Sequence, residues 1–261
     1  MSRPASIIMV HGAFCGGWVF DAFRQPFEAA GHPVLAPDLR GHGAGDRPGE
    51  VSGLSMADYA SDMAGLCRRV AEAEGSAPIL LGHSMGGLVA QMAAWRAPVS
   101  ALVLLAPSAP WGVLGSSMEE AVTAAALPLL APTPFSPVDP DLRLLKAFSL
   151  DRLAPAAREA TARRARPESA RAILETLTWW LDPLMTTLPP SGRLGVGSLV
   201  LAGSRDRVHP PATVRQVSER LGGDYREMPG MSHWLPGEPG WEGVAGAILD
   251  WLAARGGPAA A

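Results

Sequence analysis

Residues 78–87, Pro78-Ile79-Leu80-Leu81-Gly82-His83-Ser84-Met85-Gly86-Gly87, constrain the fold more than any other stretch of the chain. A short apolar run ends in Gly-x-Ser-x-Gly and passes at once into an Ala/Leu/Met-rich helical pattern. A strand that stops at a sharp turn holds the serine hydroxyl clear of the sheet. The helix that follows aims free N–H groups and the positive end of its dipole at the same point. Gly82 and Gly86 leave room where strand and helix pass close together. This context predicts a nucleophilic Ser84 in an α/β architecture.

The rest of the chain supplies the sheet. Ile7–Val10 is a compact apolar run suited to a strand buried on both faces. It runs into His11-Gly12-Ala13-Phe14-Cys15-Gly16-Gly17-Trp18, a loop able to aim a backbone N–H into the crevice where open α/β sheets bind ligands. Phe20, Phe23 and Phe27 at helical spacing predict a helix from Val19 to about Ala30. A strand is predicted at Pro33–Ala36. Ser55 and Asp58 read as a capping box opening a helix that runs to about Glu74. After the nucleophile helix, which should end near Arg96, Ala101–Leu105 is another buried strand. Strands alternating with helices predict a mostly parallel sheet flanked by helices.

From Pro107 to about Pro190 the alternation stops. Helix-like stretches at Ser117–Leu127, Asp139–Phe148, Ala154–Arg166 and Pro167–Leu181 are punctuated by proline, with no strand pattern. This segment is read as an inserted helical lid over 107–190, on a core formed by 1–106 and 191–261. The sheet resumes at Ser198–Ala202 and Asp224–Met228, with helices near Pro211–Leu221 and Gly240–Ala254. Residues 256–261 are expected to form a frayed tail.

Composition narrows the partners. Hydrophobic residues make up 48% of the chain and charged residues 18%, which separates it from disordered sequences. The net charge is −3, Lys146 is the only lysine, and no basic patch or aromatic-interleaved basic run appears, so nucleic acid is not an expected partner. No run approaches a membrane span, and Ile7–Val10 is too short for a signal sequence. Cys15 and Cys67 lie far apart, outside any metal-ligand spacing, and read as reduced thiols. The expectation is a cytoplasmic protein acting on a small molecule, without metal or organic cofactor. Its oligomeric state is left open.

A serine hydroxyl needs a base, and the base needs a carboxylate to hold its tautomer. Asp206 follows the buried run Leu199–Ala202, and His233 lies in the loop after the last strand. The order Ser84, Asp206, His233 is that of the α/β-hydrolase fold. Over nearly its whole length the sequence resembles an α/β-hydrolase. The resemblance implies Ser84 as nucleophile, Asp206 as acid and His233 as base. It further implies the backbone N–H groups of Met85 and of Ala13 or Phe14 as the oxyanion hole. His-Gly-Ala-x-x-Gly-small-Trp at 11–18 resembles the opening of plant methylesterases and their hydroxynitrile lyase relatives, with Cys15 where those proteins usually carry histidine. Trp234 stands where the lyases carry lysine, which argues against lyase chemistry. Carbon–carbon hydrolases share His-Trp at 233–234 but have Asn at the position of His83. Dehalogenases and epoxide hydrolases of this layout use an aspartate nucleophile.

Other candidates have plainer roles. His83 adjoins Ser84 too closely to serve as base. His209 reads as a loop partner near Asp206 capping the following helix, with a rival base as its alternative, His11 as a brace behind the oxyanion loop, and His42 as a loop hydrogen bonder. His32 is expected at the surface. Asp38 fits an Asx-type turn, and the slot after Ala101–Leu105 holds Ala106-Pro107-Ser108, with no carboxylate. Cys15 is either reactive or packed. Trp111, Trp180 and Trp234 are candidates to line a substrate pocket. Arg163, Arg164, Arg166 and Arg171 form either a cationic anchor for a phosphopantetheine arm or a solvated helix face. The sequence predicts hydrolysis of a carboxylic ester or related acyl bond of a small, largely apolar substrate through an acyl-enzyme on Ser84. Thioester, lactone and carbon–carbon hydrolysis are the alternatives within the class. A ligand receptor or a non-hydrolytic cyclase on the same fold is the alternative outside it.

Overall fold

The protein is described here by a computed structural model covering residues 4–117, 120, 133–190 and 194–256. Its framework is a parallel sheet in the order β2-β1-β3-β4-β7-β8. The strands are β1 (Ile7–Val10), β2 (Val34–Leu35), β3 (Ile79–His83), β4 (Ala101–Leu105), β7 (Gly197–Gly203) and β8 (Asp224–Met228). In register, Ile7 pairs with Ile79, Ile79 with Ala101, and Ala101 with Gly197. From β1 the chain steps outward to β2, then returns to lay β3 on the other side of β1. The order therefore reverses between β1 and β3, and a crevice opens beyond their carboxyl ends.

The apolar strands serve two cores because successive side chains point to opposite faces. Ile8, Val10, Leu80, Leu102, Leu104 and Val200 face one side, where helices α2 (Met56–Glu74) and α3 (Met85–Ala94) bury Tyr59, Met63, Leu88 and Val89 against them. Ile7, Met9, Leu81, Val103 and Leu201 face the other, against Phe20, Phe23, Phe27 and the helix Trp241–Gly256. The capping box at Ser55 forms: Asp58 N–H donates to Ser55 Oγ and Ser55 N–H to Asp58 Oδ2.

The predicted helix Val19–Ala30 is divided. A 3₁₀ turn at Gly17–Phe20 is followed by the short helix α1 (Gln25–Ala29). Pro26 explains the break, since it has no N–H to donate and its ring would strike the carbonyl four residues earlier. The three phenylalanines are nonetheless all buried.

Between β4 and β7 the structure is more broken than the expected helices. Asp139–Phe148 becomes one helical turn, Leu142–Leu144, running into a widened turn at Leu145–Ser149. Helices follow at Pro155–Ala162 and Ala170–Leu177. The expectation of no strand here is corrected. β5 (Pro137–Val138) and β6 (Glu168–Ser169) form an antiparallel ribbon, each only two residues long and so too short to leave an alternating pattern. The predicted helix Ser117–Leu127 falls almost wholly outside the described residues, as do 257–261. No helix among the described residues is long and apolar enough to cross a membrane.

Candidate active site

Ser84 sits at the turn between β3 and α3 with φ 55°, a left-handed conformation unusual for a residue with a side chain. Three backbone bonds hold it there. Ser84 N–H donates to Leu105 O at 3.0 Å, while its carbonyl accepts from Gly87 N–H at 2.8 Å and Ser108 N–H at 3.0 Å. Close packing of backbone on backbone makes the turn possible: a Cβ on Gly86 would lie 2.2 Å from the carbonyl oxygen of His11. The same contact brings the loop after β1 beside the serine, and a Cβ on Gly12 would stand 3.0 Å from Ser84 Cβ.

The structure brings Ser84, His233 and Asp206 together. Ser84 Oγ lies 3.0 Å from His233 Nε2, and His233 Nδ1 lies 2.9 Å from Asp206 Oδ2. A carboxylate only accepts, so Nδ1 carries the ring proton and Nε2 is left to accept from the serine hydroxyl. The other oxygen of Asp206 accepts from the N–H groups of Val208 at 2.8 Å and His209 at 2.9 Å. Burial raises the carboxyl's pKa, but His233, His209 and these donors outweigh it and hold Asp206 below the usual range. The carboxylate thus stays ionised, as orienting an imidazole requires.

Three further histidines, His83, His209 and His11, act as neutral supports. His83 is buried, its pKa lowered to about 3 chiefly by desolvation, and its Nε2–H donates to the carbonyl of His233 at 2.9 Å. His209 is lowered to about 4 by burial and by His233, and its Nε2 pairs with Ser108 Oγ at 2.9 Å. That pairing joins residues 101 positions apart and leaves no local pattern in the sequence. His11 is likewise held near 4 by burial and by His42. Its Nδ1–H donates to Gly12 O at 2.9 Å and its Nε2 accepts from Leu39 N–H at 2.9 Å. Asp38 accepts from Gly17 N–H at 2.7 Å, so from beyond the end of β2 it braces the glycine loop that follows the neighbouring β1.

Met85 is the first residue of α3, beside Ser84. Ala13 and Phe14 follow Gly12 in the loop, Phe14 with φ 63°. Cys15 is buried and its thiol is pushed up to about 12 by desolvation, which leaves packing as its role. Trp111 and Trp180 flank Trp179, at ring separations of 5.1 and 5.7 Å, and Trp180 is exposed. Trp234 differs from the expectation. It is buried against Trp18 and edge-on to His83, so its indole backs the histidines as core. The arginines do not form a shared anchor. Arg163 pairs with Glu159, Arg164 covers Trp18, Arg166 binds Asp46 O, and Arg171 pairs with Glu175.

A hydrogen-bonded Ser–His–Asp relay at the switch point of a parallel sheet, in that chain order, sets the frame for comparison with known proteins. Residues 7–247 match the alpha/beta hydrolase family. The chain belongs to that family. Within it, the chain is 46% identical over 81 residues to a pyrethroid hydrolase of Sphingobium wenxiniae, across 31% of this chain and 27% of that protein. It is 33% identical over 92 residues to Methylesterase 3 of Arabidopsis thaliana, across 35% and 34%. The plant methylesterase group suggested by residues 11–18 is thus among the relatives. These matched stretches span about a third or less of the relatives' lengths. Among solved structures, a pyrethroid hydrolase superposes with a TM-score of 0.69 at 28% identity, over 96% of this alpha/beta hydrolase and 98% of that chain.

Proposed function

We propose that this protein is a serine hydrolase that cleaves a carboxylic ester of a small, largely apolar substrate through an acyl-enzyme on Ser84. The observation that carries the reading is the relay from Ser84 Oγ through His233 to the buried, ionised Asp206. Esterases among the relatives support the same bond type. His233 Nε2 takes the hydroxyl proton as Ser84 Oγ attacks the carbonyl carbon, and Asp206 stabilises the imidazolium. The N–H groups of Met85 and of Ala13 or Phe14 receive the oxyanion, each worth about 3–4 kcal/mol at the transition state. Collapse of the tetrahedral adduct breaks the ester C–O bond, and the leaving alcohol takes the proton from His233. Water, deprotonated by the same nitrogen, then releases the acid and restores the serine. Trp111 and Trp180 would offer the substrate an aromatic wall.

The test is intact mass after exposure to a fluorophosphonate, with turnover of p-nitrophenyl acetate measured alongside. The wild type should gain one adduct, mapped to Ser84. Ser84→Ala should lose it, with turnover falling by a factor on the order of 10⁶. A folded wild-type protein that neither labels nor hydrolyses would overturn the assignment and favour the receptor or cyclase reading. Thioester, lactone and carbon–carbon substrates would then be ranked by kcat/KM on the active enzyme.

A further inference from the structure

The loop after β2 and the segment between β4 and β7 meet at an ion pair hidden from solvent. His42 Nε2 lies 3.0 Å from Glu168 Oε2, and neither side chain has any exposure. The other oxygen of Glu168 accepts from Tyr59 Oη at 2.7 Å and from Ser169 N–H at 2.8 Å. His42 Nδ1 faces the carbonyl of Arg40 at 3.2 Å. Both ring nitrogens therefore point at acceptors, and satisfying both requires the doubly protonated, cationic ring. A buried charge pair of this kind does not add stability cheaply, because both ions must leave water. Such a cost calls for a role beyond packing.

Position supplies one. The His42 ring lies 5.2 Å from that of His11, the residue whose Nδ1–H holds the carbonyl of Gly12. Two residues before Glu168, Arg166 N–H donates to the carbonyl of Phe14 at 2.9 Å. Phe14 is the loop residue held at positive φ, a conformation that persists only where its surroundings impose it. The guanidinium of Arg166 is fixed in turn by Asp46 O at 2.6 Å. Residues 166–168 thus hold the loop 12–14 twice, once at Phe14 and once through Glu168, His42 and His11.

We propose that Glu168 is a positioning residue for hydrolysis: paired with His42, it seats residues 166–168 against the loop Gly12–Phe14 and fixes the backbone N–H that receives the oxyanion. The proposal rests on the serine-hydrolase reading. An oxyanion donor acts on charge that appears only in the transition state, so its displacement lowers kcat and leaves KM nearly unchanged.

The test compares wild type, Glu168→Gln and Tyr59→Phe. Glu168→Gln keeps the shape and removes the charge, while Tyr59→Phe removes one donor to the carboxylate and keeps the pair. Three quantities are read: kcat and KM for p-nitrophenyl acetate, and amide hydrogen exchange of residues 11–17. In Glu168→Gln, kcat should fall by roughly tenfold to a hundredfold, the scale of a displacement near 1 Å at a reacting centre. KM should stay within about twofold, and exchange at 11–17 should quicken while β3 and β4 keep their protection. Tyr59→Phe should show the same pattern at smaller size, and it carries the test if Glu168→Gln does not fold. Unchanged kcat, or a loss confined to KM, would overturn the proposal. If the wild type neither hydrolyses nor labels, the hydrolase reading fails separately. Exchange then decides the contact: quicker exchange at 11–17 in Glu168→Gln upholds the clamp, and unchanged exchange removes it.

Discussion

The parallel sheet and the segment between β4 and β7 are held in place by different physics. In the sheet, Leu80, Leu81, Leu102 and Val103 have no exposure at all, and helices cover both faces. In the segment, large apolar side chains stand in solvent. Apart from Leu35, the exposed ones among the described residues lie between Leu114 and Leu188, with Phe135 at 71% and Leu184 at 75%. What ties this segment down is polar and specific. Glu175 accepts from Met56 N–H at 2.8 Å, Arg220 holds the carbonyl of Trp111 at 2.8 Å, and Glu168 holds His42. Leu150, Leu153 and Ile173 add some apolar anchorage. The framework that carries Ser84, Asp206 and His233 is therefore stabilised by area, and the neighbouring segment by a few named bonds. Damage should spread through the first and stay local in the second.

The largest effect should come where the framework is tightest. Gly86→Ala would push a Cβ to 2.2 Å from His11 O and 2.3 Å from Val10 O, both backbone atoms that cannot move without β1. Overpacking a core costs about 1–3 kcal/mol, and against fixed backbone the loss should exceed that range. Urea unfolding should show a large drop in stability or no folded protein. A Gly86→Ala variant with wild-type stability would mean that β1 and α3 are not locked backbone against backbone.

Leu81→Ala tests the same half by removal. Leu81 is fully buried between β1 and β4, and such truncations cost about 2–5 kcal/mol. The urea midpoint should fall with the slope unchanged.

The seam between the halves carries its own titration. Glu238 is buried in the loop after His233, where its Oε1 accepts from Ser232 N–H at 2.7 Å. Burial, then the charge of Asp151 in the segment between β4 and β7, pushes its carboxyl up to about 7 against the opposing Ser232 bond and His233. Below the unfolded value of 4.5 both states hold the proton. Between 4.5 and about 7 the unfolded chain releases it while the folded protein keeps it, so this group makes stability fall as pH rises through that window. Glu238→Gln should remove that part of the slope when urea unfolding is compared at pH 5 and pH 7. An identical slope in both proteins would place the titration elsewhere.

Legibility in the sequence follows the same division. Ile79–Leu81, Ala101–Leu105 and Leu199–Ala202 are continuous apolar runs because a strand covered on both faces has no polar side, so the strands could be read directly. Ser84 and Asp206 could be picked out because each follows such a strand, and His233 because it lies in the loop after the last strand, the polar Asp224–Met228, in the fixed order Ser, Asp, His. The Glu168–His42 pair joins residues 126 positions apart and leaves no local pattern. His209 with Ser108 is similar, at 101 positions. In the segment between β4 and β7, two-residue strands fall below the length at which alternation shows, and the helical pattern at 139–148 yields one turn of helix running into a widened turn. Helical spacing of Phe20, Phe23 and Phe27 reported burial correctly and helix length wrongly, because Pro26 limits the second without affecting the first.

The smallest effect expected is also the one that most directly probes the contrast. Leu184 is three-quarters exposed, and its neighbourhood is set by Asp182, whose carboxylate accepts from the N–H groups of Leu184 at 3.0 Å and Thr186 at 2.6 Å. Those bonds involve the backbone of 184–186, so they survive any change of side chain. Leu184→Ala should therefore alter stability by no more than about 0.5 kcal/mol, the usual range for a surface substitution away from special features. Measured beside Leu81→Ala, it sets the same residue type and the same truncation in the two settings. If Leu184→Ala cost as much as Leu81→Ala, the segment would be held by apolar burial after all. The polar ties at Glu168, Glu175 and Trp111 would then be secondary to it.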